Sequence, residues 1–187
     1  MAGSPWYAFR NDVVHSARLM NRIIGELFNM GWLLTLSTDI ILYSNNLDTL
    51  VFRHQPPPPP RCECFAVAFR RGDKIDLINV PEDLRTDMVA LIHTSQQLQT
   101  HRAHRSIRNC YQLKLWGYPL RSFKMNDSIG GLALVLDLLS LLKNQGWRVY
   151  ASIGQKHQRN NGPSSSTDTW HCCRQLGWSP GQSIYHH

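Results

Sequence analysis

The apolar residues near the start of the chain recur at helical spacing and then give way to a longer apolar run. Positions 13, 14, 17, 20, 24 and 27 would line one face of a helix that Asn11-Asp12 caps and Gly31 ends. The stretch Trp32 to Tyr43 is rich in Leu, Ile and Thr, which predicts a strand, and Thr49 to His54 predicts its hairpin partner. Residues 1–10 are predicted to form an entry strand or extended arm.

A second hairpin and a second helix follow. Cys62 to Arg70 and Lys74 to Val80 predict two strands joined at Gly72-Asp73. Pro81 suits the first turn of a helix, and the apolar residues at 84, 88, 91 and 92 give that helix one buried stripe. The polar and basic stretch Gln96 to Arg108 is predicted to be a linker.

The last third of the chain is predicted to contain one helix and three strands. Strands are expected at Tyr111 to Trp116, Trp147 to Ser152 and Thr169 to Cys173, with a helix at Leu132 to Asn144. Gln155 to Thr167 is rich in Gly, Pro, Ser and Asn, which indicates a mobile loop. No periodicity marks the stretch after residue 175.

A weak internal repeat organises these elements. Gly31-Trp32 recurs as Gly146-Trp147, each after an apolar helical run and before an Asp-Thr pair. The prediction is an α+β fold with a mainly antiparallel sheet and helices packed on one face, built from a degenerate tandem repeat with a pseudo-two-fold relation. Its modules would be residues 1–100 (strand, helix, two hairpins, helix) and the shorter 101–187 (strand, helix, hairpin), sharing one sheet. Both tryptophans are expected in the core.

Five consecutive prolines, Pro56 to Pro60, interrupt the strand pattern. A proline run cannot donate hydrogen bonds to a sheet and prefers the polyproline II conformation. The run is either a stiff loop between strands or a ligand for an SH3, WW or profilin-like groove. The loop is favoured, because no flanking pattern specifies how such a ligand would dock.

Charge and cysteine usage narrow the class of protein. Twenty Lys and Arg against 13 Asp and Glu give a formal net charge of +7, which favours acidic partners. No apolar run approaches the length of a spanning helix and no signal-like segment is present, so a cytoplasmic or nuclear protein without a transmembrane segment is expected. Five cysteines, an odd number, fit free thiols in a reducing compartment.

Two groups of basic residues are the candidate partner-binding site. They are Arg70, Arg71 and Lys74 at a hairpin tip, and Arg102, Arg105 and Arg108 in the linker. If they form one face, they would bind nucleic acid through phosphates. The alternatives are an acidic protein partner and an ordinary solvated surface.

The cysteines and His171 raise a second possibility. Cys62, Cys64, His171, Cys172 and Cys173 include zinc-ligand types, and Asp168, His171 and Cys172 include the types of a nucleophilic triad. Adjacent Cys172 and Cys173 must point to opposite faces of a strand, so buried free thiols are the favoured interpretation.

The sequence therefore predicts a non-catalytic protein-interaction or assembly module with a basic surface. It would bind an acidic protein partner or copies of itself, and no catalytic residue, metal or cofactor is expected, since Gly130-Gly131 lacks the rest of a phosphate-binding motif. A nucleic-acid-binding protein, and a zinc protein or thiol enzyme using His171 and Cys172, are the alternatives.

Overall fold

A computed structural model describes residues 12–38, 49–120, 125–159 and 162–184. The described chain contains three helices and eight strands, in the order α1 (Asp12–Asn29), β1 (Trp32–Thr38), β2 (Thr49–His54), β3 (Cys62–Arg70), β4 (Lys74–Ile78), α2 (Glu82–Thr94), β5 (Leu98–Ala103), β6 (Cys110–Leu115), α3 (Met125–Asn144), β7 (Arg148–Arg159) and β8 (Gly162–Gln175). The predicted N-terminal arm lies outside the described residues.

Six strands form one antiparallel sheet in the order β5-β6-β4-β3-β8-β7. The central strand β3 pairs with β4 on one side and β8 on the other, so that Ala66 lies between Ile78 and His171. Strands on both sides of residue 100 contribute to this sheet, while β1 and β2 form a separate two-stranded sheet. The α+β class and the antiparallel pairing are confirmed; the division into modules 1–100 and 101–187 stays a prediction.

The helices pack on both faces of the sheet, so the prediction that they share one face is wrong. Phe65 and Val67 of β3 lie in a core with residues of α2 and α3. Their neighbours Ala66 and Ala68 point to the opposite face, where they contact α1. The physical reason is that β3 is apolar on both faces, and both faces therefore need a covering layer.

The core between the sheet and α2 and α3 holds the largest buried side chains. Leu84, Met88 and Ile92 of α2 face the sheet at the predicted spacing. Trp147 meets Phe65 edge to face, with ring centroids 4.6 Å apart. Each such side chain contributes roughly 1.5 to 3 kcal/mol of hydrophobic stabilisation.

Small residues let α1 lie close to the other face. Ala17 of α1 packs against Ala66 and Ala68. A β-carbon added at Gly25 would meet the Sγ atom of Cys64 at 3.1 Å. The helix therefore contacts the strand almost backbone to backbone.

Two segments differ from their predicted structure. The predicted linker contains β5, which pairs with β6 and brings Arg102 opposite Gln112. The described parts of the predicted loop, residues 155–159 and 162–167, belong instead to the long β-strands β7 and β8, which pair with each other. In both cases the neighbouring strand supplies the backbone hydrogen bonds. The side-chain composition of a segment does not reveal that it pairs in this way.

The tandem repeat is not confirmed. Gly31 and Gly146 both end a helix at positive φ (87° and 75°), so the repeated Gly-Trp pair marks the same local helix ending. The tryptophans then diverge: Trp147 is 1% exposed in the main core, whereas Trp32 is 41% exposed and rests against His54. A shared helix-ending signal therefore explains the likeness without a duplicated domain.

Candidate functional site

Helix α3 carries an apolar stripe on its solvent side. Ile129, Leu132, Leu136 and Leu139 are 37% to 61% exposed. The opposite side of the same helix is also apolar, because Leu134, Leu138 and Leu142 are buried in the core. A helix that is apolar all round is normally covered on every side, so the exposed stripe is a candidate contact surface.

Two exposed aromatic residues precede the same helix. Trp116 and Tyr118, each 61% exposed, lie in the connection between β6 and α3. Pro119, in the same connection, packs against the first half of α3, since a β-carbon at Gly131 would overlap the carbonyl oxygen of Pro119. Tryptophan and tyrosine are enriched in protein interfaces. We call the α3 stripe with Trp116 and Tyr118 the apolar surface.

The polar residues beside the stripe are few. Asp137 and Ser140 are exposed on α3, and Lys143 continues the line of the stripe toward the end of the helix. Gln145, just after the helix, donates a hydrogen bond to the carboxylate of Asp87 on α2 (2.5 Å) and ties the two helices together. The middle of the stripe thus contains no charged residue.

The first predicted basic group is partly neutralised. Arg70 forms an ion pair with Asp76 (2.8 Å), whose carboxylate is completely buried and also accepts a hydrogen bond from Gln112 (2.8 Å). A buried carboxylate needs such partners. Arg70 is therefore held in the sheet, while Arg71 is exposed in the β3–β4 turn.

Cross-strand pairing aligns further cations with Arg70. Lys74 lies between Arg70 and Lys114 across three neighbouring strands, and Arg102 lies on the same face opposite Gln112. Side chains that are directly opposite in an antiparallel pair share a face. The sequence did not single out Lys114, because only the pairing of β4 with β6 places it in this row.

Two of the three residues in the second predicted basic group lie at the other end of the sheet. Arg105 and Arg108 are exposed in the β5–β6 connection, beside the end of β4 that is remote from Lys74. Arg18 of α1 donates a hydrogen bond to the carbonyl oxygen of Arg108. Four residues of strand separate the two ends by roughly 13 Å. The six predicted residues do not form one compact basic site.

The structure does not bring His171 and Cys172 to a common site. Cys172 points into the core with Phe65, and burial raises its pKa well above that of a free thiol. His171 points to the α1 face, with its Nδ1 atom 3.3 Å from Oδ1 of Asn21. Burial lowers the pKa of His171 to about 4, so the ring is neutral near pH 7. Asp168 is exposed in β8.

Three thiols meet on the α1 face instead. Cys62, Cys64 and Cys173 lie at the end of the sheet that Phe28 covers. Across the described ranges, no three His, Cys, Asp or Glu side chains have the arrangement of a metal site. A cation contacts one of these thiols: Nε of Arg148 donates to Sγ of Cys173 at 3.4 Å. The sequence did not identify Arg148, which the β7–β8 register places opposite Cys173.

Within the four described ranges, no helix has both the length and the hydrophobicity needed to span a membrane.

Comparison with known proteins gives one match. No curated protein and no solved structure matches the chain. One domain-family model matches residues 1–53 and 63–173. The interior gap in that match contains the five prolines Pro56 to Pro60, and the match includes every residue of the apolar surface. The chain therefore belongs to the domain family whose model it matches over these two segments.

Proposed function

We propose that the protein is a non-catalytic assembly module that pairs with a second copy of itself through the apolar surface. The observation that carries this proposal is the row of four exposed apolar side chains on α3; two exposed aromatic residues lie in the connection that precedes this helix. Isolated exposed hydrophobic residues are common, whereas a contiguous apolar patch marks a contact site.

The spacing of the stripe favours a second copy as the occupant. The intervals between successive residues of the stripe are three, four and three positions, for Ile129, Leu132, Leu136 and Leu139. The order of these intervals is therefore the same from either end of the helix. An antiparallel pair of α3 helices would therefore match Leu132 with Leu136 of the second copy and Ile129 with Leu139. A two-fold interface is self-complementary in this sense, and spacings of three and four are those of paired helices.

Charge favours the antiparallel arrangement over the parallel one. In a parallel pair, Lys143 of each copy would lie against its equivalent, and the helix dipoles would point the same way. An antiparallel pair separates the two lysines and opposes the dipoles. The antiparallel register is therefore part of the proposal.

The expected affinity is modest. Covering a half-exposed Leu or Ile stabilises by roughly 1 kcal/mol, and association costs about 4 kcal/mol or more in lost freedom of motion. The apolar surfaces of two copies would bury on the order of 1,000 Å², the lower range for specific interfaces. We expect a dissociation constant on the order of micromolar.

The alternatives have less support. A thiol enzyme using His171 and Cys172 needs both side chains in one site, yet they point to opposite faces of β8. Nucleic-acid binding through the six predicted arginine and lysine residues needs one continuous face, yet Arg70 is paired with Asp76 and Arg105 and Arg108 lie at the far end of the sheet.

Mass measured by light scattering over a range of concentrations tests the proposal. The wild type should change from monomer to dimer as its concentration rises from about 1 to 200 µM, as expected for micromolar affinity. Leu132→Glu/Leu136→Glu should stay monomeric while keeping the wild-type circular dichroism spectrum, because both side chains are exposed. Leu176→Glu is the matched control, since Leu176 is 53% exposed and Leu136 54%. A wild type that is monomeric throughout, or a double variant that still dimerises, would contradict self-association.

A further inference from the structure

Three thiols are brought together by the pairing of β3 with β8. Cys64 lies directly opposite Cys173, and Cys62 is two residues before Cys64 on the same face. Both backbone groups of Cys62 are held by Asn29 at the end of α1: the amide nitrogen donates to Oδ1 (2.8 Å), and the carbonyl oxygen accepts from Nδ2 (3.3 Å). The pairing of β3 with β8 and the hydrogen bonds from Asn29 of α1 together fix the position of Cys62.

The three sulfur atoms differ in their surroundings. Cys62 and Cys173 line a small, shallow cleft together with Gly146, Arg148 and Trp178. The cleft has room for about one molecule the size of water. Cys64 does not line it, because its sulfur lies under α1 against Gly25.

Arg148 distinguishes Cys173 from its neighbours. Its guanidinium donates to the Cys173 sulfur and is itself held over the rings of Tyr150 (5.3 Å) and Phe28 (5.8 Å). The neighbouring Cys62 thiol and the positive charge of Arg148 lower the pKa of Cys173 to about 7, while Sγ of Cys62 donates to the carbonyl oxygen of Pro60 at 3.4 Å. The neighbouring Cys173 sulfur and burial raise the pKa of Cys62, and burial raises that of Cys64 to about 12. Near pH 7 the thiolate therefore forms at Cys173.

We propose that Cys173 and Cys62 are a redox-active pair in which Cys173 is oxidised by a hydroperoxide and Cys62 then closes a reversible disulfide. The site is the cleft beside Arg148. The proposal is independent of self-association, because the cleft includes no residue of the apolar surface.

The proposed oxidation of the two thiols takes place in two steps. The Cys173 thiolate attacks one oxygen of hydrogen peroxide, the O–O bond breaks, and the departing hydroxide takes a proton to become water, which leaves a sulfenic acid on Cys173. The Cys62 sulfur then attacks the Cys173 sulfur, and the sulfenic hydroxyl leaves as water with the thiol proton. The two thiols lose two electrons in total, and the peroxide gains them. A thiol reductant returns the pair to its starting state.

Peptide mapping after treatment with one equivalent of hydrogen peroxide tests the assignment. The wild type should lose the mass of two hydrogen atoms and yield a Cys62–Cys173 cross-linked peptide that a thiol reductant removes. Cys62→Ser should stop at a sulfenic acid on Cys173, trapped by a dimedone probe, and Cys173→Ser should form neither product. Cys64→Ser is the matched control and should oxidise like the wild type.

The alkylation rate of Cys173 tests the role of Arg148. Arg148→Gln should slow alkylation of Cys173 by iodoacetamide at pH 7 at least about tenfold, because a raised pKa leaves less thiolate. In the wild type the alkylation rate should rise with an apparent pKa of about 7. A Cys64–Cys173 disulfide, a wild type that peroxide leaves reduced, or an unchanged alkylation rate in Arg148→Gln would overturn the proposal.

Discussion

His171 is a buried neutral base between β8 and α1. The residue is 1% exposed, and Nδ1 of its ring contacts the side chain of Asn21. Because the amide oxygen of Asn21 only accepts, this contact places the ring proton on Nδ1. The Nε2 atom is buried and has no hydrogen-bond partner among the described residues. A second proton on the ring would therefore be strongly disfavoured in the folded state.

This burial predicts a loss of stability in weak acid. The unfolded chain binds a proton at His171 near pH 6.5 and the folded protein only near pH 4, so stability is complete above pH 6.5 and falls as the pH drops through that window. The loss should reach about 3 kcal/mol at pH 4.

Denaturant unfolding between pH 4 and pH 7.5 measures this loss. His171→Gln keeps a hydrogen-bonding side chain that does not titrate, and its stability should fall less than that of the wild type over the same range. Equal pH dependence in the two proteins would show that His171 is not the group responsible.

At the scale of single residues, the sequence predicted which face of a strand a side chain points to, but not which other side chains it contacts. Alternation along a strand correctly placed Cys172 and Cys173 on opposite faces. It did not reveal that Arg70 pairs with Asp76 or that Arg148 reaches Cys173. Those contacts depend on strand order and register, and a single sequence does not contain either.

Helix α1 lies on the sheet through small side chains, and this contact is sensitive to volume. Ala68 is 1% exposed and faces Ala17 and Val14 of α1. Ala68→Leu should destabilise the protein by about 1 to 3 kcal/mol, because added volume in a closely packed core must displace the helix or strain the side chain. Chemical denaturation measures the change.

Ala103 provides the control for this substitution. It is exposed at the end of the edge strand β5, so Ala103→Leu should change the free energy of unfolding by no more than about 0.5 kcal/mol. If Ala68→Leu were equally well tolerated, α1 would not be packed on β3 as described.

At the scale of elements, predictability followed the strength of the hydrophobic pattern. The bounds of β2 and β3 match their prediction exactly, and α1 and α2 lie where the apolar stripes indicated. The prediction for α3 began seven residues late, because Gly130-Gly131 resembles a helix-breaking turn. For β5 and the outer part of the β7–β8 hairpin, the polar sequence hides the strand, since main-chain pairing with a neighbouring strand defines these segments.

At the scale of the whole molecule, the sheet separates two chemically different sides. The α1 side carries the three thiols and the aligned residues Lys74 and Lys114, and the α3 side carries the apolar stripe. Pairing through α3 would leave the cleft beside Cys62 and Cys173 uncovered. The predicted pseudo-two-fold relation does not account for this arrangement, because helices lie on both faces and the two tryptophans have unrelated surroundings.

Disulfide trapping across the proposed interface tests the central claim most directly. Leu132→Cys and Leu136→Cys are prepared separately in a protein whose Cys62, Cys64 and Cys173 are changed to serine, then mixed and equilibrated in a thiol redox buffer. In the antiparallel pair these two positions face each other, while two copies of the same position are about 6 Å apart along the helix axis.

Self-association through α3 predicts that the mixed Leu132→Cys/Leu136→Cys disulfide forms in excess over either symmetric product. Leu176→Cys, an exposed position outside the apolar surface, should give only background cross-linking. Symmetric products in excess would contradict the antiparallel register, and cross-linking no stronger than that of Leu176→Cys would contradict the interface itself.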